Sequence, residues 1–170
     1  MRSKRSGPMT DFCDIVAGAA ELHPDRTCKS SKWCRMETQK EIDSFVEEWP
    51  ESPDRCRDLF QKLYDFLKQL DGAGIEFHAR PGITYSMRGV PDRESEYSLF
   101  VMVDVIEDQP RWLSVCFYEQ MVSDPDGRGD SVPGGLLGED AICFDAESWD
   151  DALFAYLCGR INEAGKAVSE

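Results

Sequence analysis

Residues 98–118 read SLFVMVDVIEDQPRWLSVCFY, and that stretch limits the fold more than any other. Two runs rich in β-branched and aromatic residues flank the turn-forming EDQP, which is the pattern of a β-hairpin. Neither run approaches the roughly 20 apolar residues of a membrane helix. Asp104 interrupts the first run, and a carboxylate in a buried strand needs a partner. A four-residue turn sets Ile106 opposite Arg111 and Asp104 opposite Leu113. Asp104 and Arg111 are then diagonal neighbours within ion-pairing reach. A sharper alternative places Asp104 in a cleft lined by Tyr85, Arg80 and Arg88, where it would take part in catalysis.

Around this hairpin the hydrophobic period changes twice. Ile83, Tyr85 and Met87 alternate with Thr84, Ser86 and Arg88, which predicts another strand over 83–88; the AICFD stretch from Ala141 predicts a further short one. Upstream the period is helical. Thr38 and Glu41 form a capping box ahead of Ile42, Phe45, Val46 and Trp49. Ser52 and Pro53 start a second helix, whose stripe is Cys56, Leu59, Phe60, Leu63, Leu67 and Leu70. Ser148 caps a closing helix, with Leu153, Leu157, Ile161 and Ala164 on one side. Helices, then adjacent strands, then a helix indicate an α+β fold. The expectation is an antiparallel sheet of about four strands, with an N-terminal helical pair and a C-terminal helix packed on it. Residues 37–170 form the single domain. Residues 1–36 are a loosely ordered segment with a short helix over 11–22.

Composition restricts the partners. Apolar residues make up 41% and the net charge is −14, from 19 basic and 33 acidic residues. Such a body packs a core but repels phosphates, so nucleic acid and anionic membrane are excluded as partners. Of the seven cysteines, Cys56, Cys116 and Cys143 sit in apolar runs as small core residues do. An odd count with no framework spacing predicts reduced thiols and a cytoplasmic protein. Cys13, His23, Cys28 and Cys34 do not have zinc spacing.

The most site-like stretch is SDPDGRGDSVPGGLLGEDAICFD, residues 123–145. In a calcium-loop register Asp124 and Asp126 occupy the first and third positions. Arg128 then stands where the fifth ligand belongs, and Gly135 where the bidentate carboxylate belongs. The glycines lack the Lys-Ser/Thr pair of a phosphate loop. Asp and Gly are explained equally well as turn formers.

No nucleophile motif, metal set or cofactor fingerprint emerges, and no cofactor is expected. The sequence therefore indicates a non-catalytic binding or regulatory module. It would engage an unknown protein or small-molecule ligand through the 119–140 loop and the adjacent sheet face. The alternative is an enzyme built on Asp104 with Arg80, Arg88 or Arg111, assisted by a divalent ion on Asp124, Asp126 and Asp130. The ligand-contact candidates are thus Arg80, Tyr85, Arg88, Asp104, Arg111, Asp124, Asp126 and Asp130. Convergence of Asp104 and the loop aspartates on one cavity would favour the enzyme; separation would favour the binding module.

Overall fold

The computed structural model describes residues 32–169. They form three α-helices and one antiparallel sheet, so the α+β class holds. The elements in chain order are α1 (Lys32–Glu48), α2 (Cys56–Leu67), β1 (Ala73–Arg80), β2 (Thr84–Pro91), β3 (Val101–Ile106), β4 (Trp112–Tyr118), β5 (Asp130–Leu136), β6 (Glu139–Ala146) and α3 (Asp151–Ala167). The sheet has six strands rather than about four, in the order β1-β2-β3-β4-β6-β5. The additional strands are β1 and β5. Among the described residues no helix is long and apolar enough to cross a membrane. The expected helix over 11–22 lies outside the described residues.

Alternation divides the sheet into two faces. Met87, Val103, Val115 and Phe144 are successive cross-strand partners and are fully buried. They face the helices, with Leu59, Phe60, Leu63, Leu157 and Ile161 opposite them in one core. The intervening residues, including Ser86, Asp104, Ser114 and Asp145, point to the face that no described helix covers.

The helices are arranged differently from the expected N-terminal pair. α1 rests on the edge strand β1, while the main helical neighbour of α2 is α3. Rings still connect α1 to α2: Phe45 meets Phe60 edge-on at 5.6 Å.

The helix starts also differ from expectation. α1 begins six residues before Thr38, because the preceding Arg35, Met36 and Glu37 are good helix formers and nothing interrupts them. Ser52 and Pro53 form a turn instead of opening α2. Ser52 Oγ donates to Asp54 Oδ1, and that carboxylate accepts from Cys56 N at 2.9 Å. The cap of α3 is Asp150, whose Oδ1 accepts from Ala152 N and Leu153 N, and not Ser148.

The β3–β4 hairpin forms, with a different register from the expected one. Ile106 pairs with Trp112 and Asp104 with Ser114. The four-residue turn becomes a five-residue connection, Glu107–Arg111. The expectation of wholly reduced thiols also fails. Cys116 and Cys143 face each other across β4 and β6, 4.1 Å apart at Cα, and are disulfide-bonded. Non-hydrogen-bonded antiparallel pairs approach this closely, which is why two side chains of this length meet. Cys56 and Cys158 are free, and burial pushes the Cys56 thiol up to about 12.

Close packing between β2 and the chain entering β3 makes a test of this register. A Cβ on Gly89 would lie 2.7 Å from both Phe100 Cζ and Val101 Cγ1. Gly89→Ala is therefore expected to destabilise the domain by about 1–3 kcal/mol through overpacking. Chemical denaturation checks this, and an unchanged midpoint would contradict the β2–β3 register.

Candidate functional site

The face of the sheet that no described helix covers holds the least conventional polar group. Across adjacent strands His78, Ser86, Asp104, Ser114 and Asp145 lie in one row. Alternation brings them there, because each strand spends its other residues on the core. Ser86 is 1% exposed, the only buried polar residue among those described, and its Oγ donates to Asp104 Oδ1. Ser114 Oγ donates to Asp145 Oδ1 at 2.7 Å. Burial raises the Asp104 carboxyl above its ordinary value, while the Ser86 hydroxyl and the charges of Arg80 and Arg88 pull it back. Arg80 Nη2 donates to Thr84 Oγ1 at 2.6 Å. Arg88 Nε is buried with no acceptor among the described residues.

Arg111 and Tyr85 lie on the opposite, helix-covered side. Arg111 Nη2 forms an ion pair with Glu107 Oε1 at 2.5 Å. Its guanidinium lies over the rings of Phe45, Trp49 and Tyr85, at 5.4, 5.4 and 5.5 Å from their centres. Tyr85 stacks on Phe45 with centroids 4.2 Å apart. The expected Asp104–Arg111 ion pair is therefore replaced by the Ser86 bond. The cluster of Arg80, Arg88 and Asp104 remains; Tyr85 and Arg111 are not part of it.

The loop aspartates are elsewhere again. Asp124 Oδ1 accepts from Tyr156 Oη at 2.5 Å and from Arg128 N at 3.1 Å, and Oδ2 accepts from Gly129 N at 2.9 Å. The Tyr156 hydroxyl and the Gly129 amide hold the Asp124 carboxyl below its ordinary value. The guanidinium groups of Arg128 and Arg160 lie over the Tyr156 ring at 5.3 and 4.9 Å. Arg160 Nη1 also donates to the Ser123 carbonyl at 2.5 Å. This is an anchor onto α3. Asp126 pairs loosely with Arg128 at 3.6 Å. Asp130 starts β5, opposite Cys143. Among the described residues no group of three or more His, Cys, Asp or Glu side chains is placed to hold a metal ion.

Asp104 and Asp124 thus lie on opposite faces of the sheet. The sequence singled out both residues but neither partner. Ser86 lies 18 positions from Asp104 and Tyr156 32 from Asp124, so only the strand register and the α3 packing reveal them. No protein-family model matches the chain, and comparison with curated proteins and with solved structures gives no match.

Three measurements follow from this geometry. The folded carboxyl of Asp104 binds its proton more tightly than the unfolded one. Its contribution to stability is present below the unfolded value, about 3.9, and is lost as pH rises through the raised folded value. Asp104→Asn removes this loss and can still accept from Ser86. The variant is expected to gain stability relative to the parent as pH climbs from about 3.9, and denaturation curves over that range check the sign. For the loop, Asp124→Ala is expected to speed hydrogen exchange at the Arg128 and Gly129 amides. Millimolar calcium should leave the melting temperature of the parent unchanged, since both Asp124 oxygens already accept hydrogen bonds.

Proposed function

We propose that this chain is a non-catalytic binding domain. Its recognition surface is the uncovered sheet face together with the adjoining 119–140 segment. The separation of its carboxylates carries this reading: Asp104 is held by Ser86 on one face and Asp124 by α3 on the other. A two-carboxylate or metal-assisted reaction needs such groups at one reacting atom. The candidate face instead presents Arg80 and Arg88 towards β1 and β2, and Asp145 and Asp130 towards β6 and β5. A protein surface with the opposite charge gradient fits it. The intracellular reading of the thiols is supported by the free Cys56 and Cys158 and opposed by the Cys116–Cys143 bond; the cytoplasm remains part of this proposal.

The test has two arms. The purified chain is assayed with p-nitrophenyl phosphate, acetate and a glycoside, each with and without magnesium. No turnover is expected; turnover that disappears in Asp104→Asn would overturn the reading in favour of an enzyme. In the second arm a photocrosslinking residue replaces Ser114 on the candidate face or Asp58 on α2, in the source cell. Adducts of one defined mass at position 114 and none at position 58 are expected, and equal labelling at both would count against this surface.

A further inference from the structure

The two edges of the sheet are built differently. At one edge β5 contains Pro133, and its pairing with β6 shifts register between Val132 and Leu136. Proline and bulges are how proteins prevent an edge from pairing with another strand. At the other edge β1 pairs with β2 without interruption from Ala73↔Pro91 to Arg80↔Thr84. It contains no proline, and no described strand lies beyond it. Alternate residues of such a strand direct their N–H and C=O groups away from the sheet.

That edge opens into a groove. Three cavities follow one another between β1 and α1: about 140 Å³ beside Ala73, Gly74 and Ile75, about 320 Å³ around Ile75 to His78, and about 590 Å³ beside Phe77, Ala79 and Tyr85. The largest is floored by the ring cluster of Phe45, Phe77 and Tyr85, and its helix side carries Lys40, Glu41, Ser44 and Glu48. Ile83, 63% exposed, lies just beyond this end. Eight residues of strand extend roughly 26 Å, enough for a peptide of the same length to run alongside.

We propose that this groove receives an extended, basic-apolar peptide segment of a partner protein, which adds to the sheet as a seventh strand beside β1. The edge, beyond which no described strand lies, supplies main-chain hydrogen bonds from the residues that alternate with Glu76, and the cavities beneath α1 take alternate side chains, a division of labour typical of strand addition. Charge selects the peptide. It acts at the Phe77–Tyr85 end, where two acids and one lysine border the largest cavity, whereas Arg35 and Lys68 border the smallest; in a chain that carries −14 overall, lysines flanking the apolar residue seated at that end are favoured. A second copy of the chain is disfavoured for the same reason, as it would bring two strongly acidic bodies together. The groove runs along the β1 edge and meets the Asp104 row only at His78; its occupant is tested from Ser44 on α1, so failure of this proposal and failure of the function proposed above are distinguishable.

The probe is a fluorescein-labelled peptide of alternating valine and lysine, matching the eight residues of β1, followed by fluorescence anisotropy. Saturable binding to the full chain is expected, with slower hydrogen exchange at β1 amides. Methylating alternate peptide nitrogens removes the main-chain donors and is expected to weaken binding at least about tenfold. Ser44→Trp fills the largest cavity from an exposed helix position, and Glu41→Lys with Glu48→Lys reverses its border; each should weaken binding while leaving the melting temperature within a few degrees of the parent. Absence of saturable binding, equal affinity of the methylated peptide, or equal affinity of the Ser44→Trp variant would overturn the proposal. So would a chain that sediments as a dimer and becomes monomeric in Ser44→Trp, because the edge would then serve self-pairing.

Discussion

The two-faced alternation of β3 and β4 is the constraint on which the rest depends. Val103, Val105, Leu113 and Val115 are fully buried under the helices. A slip of one residue would send Asp104 and Ser114 into that core and expel the valines and leucine, since strand side chains alternate with a period of two. Burying one such aliphatic side chain contributes about 1.5–3 kcal/mol. Turn preferences are small beside several of these, so the connection lengthens to Glu107–Arg111 and the register is kept. The consequence reaches Arg111. One residue further from β3 than a four-residue turn allows, it crosses to the helix side and is held by Glu107 and three aromatic rings.

Legibility in the sequence follows from how local each cause is. The hairpin, α2 and α3 have strong periodic stripes and are visible within single windows of sequence. β1 also alternates, with Ile75, Phe77 and Ala79 against Glu76, His78 and Arg80. It is obscured because Gly72 and Gly74 read as the end of the preceding helix. β5 is hidden by Pro133, Gly134 and Gly135, which belong to a protected edge strand as readily as to a loop. Caps are ambiguous where several candidates lie within three residues, as Ser148, Asp150 and Asp151 do. The Cys116–Cys143 bond is invisible to spacing because it depends on β6 inserting beside β4.

Asp104 shows the same limit within the candidate site. Its position in an apolar run is enough to mark it. Its environment is set by β2, where Ser86 offers a hydroxyl within the same cross-strand row. A neutral hydroxyl donor lowers the cost of a half-buried carboxylate without introducing a countercharge, so Asp104 does not depend on Arg111, which the register carries to the other face. Arg80 and Arg88 still act on Asp104 through space.

Strand order also explains why residues 123–145 resemble a site. The chain leaves β4, passes over the place where β6 will insert, and lays down β5 at the edge before returning as β6. The crossing spans two strand spacings, roughly 10 Å, and must pass close to the finished sheet. Gly129 meets that need: a Cβ there would lie 2.7 Å from Ile142 Cγ1 and 2.8 Å from Phe144 Cε1. Gly127 turns with φ at 61°. A backbone so drawn in must still satisfy its amides, and Asp124 accepts two of them while Tyr156 fixes the carboxylate to α3. Aspartate and glycine at close spacing are therefore what a crossover of this topology requires, and the same composition in a calcium loop arises from a different demand on the same two residue types.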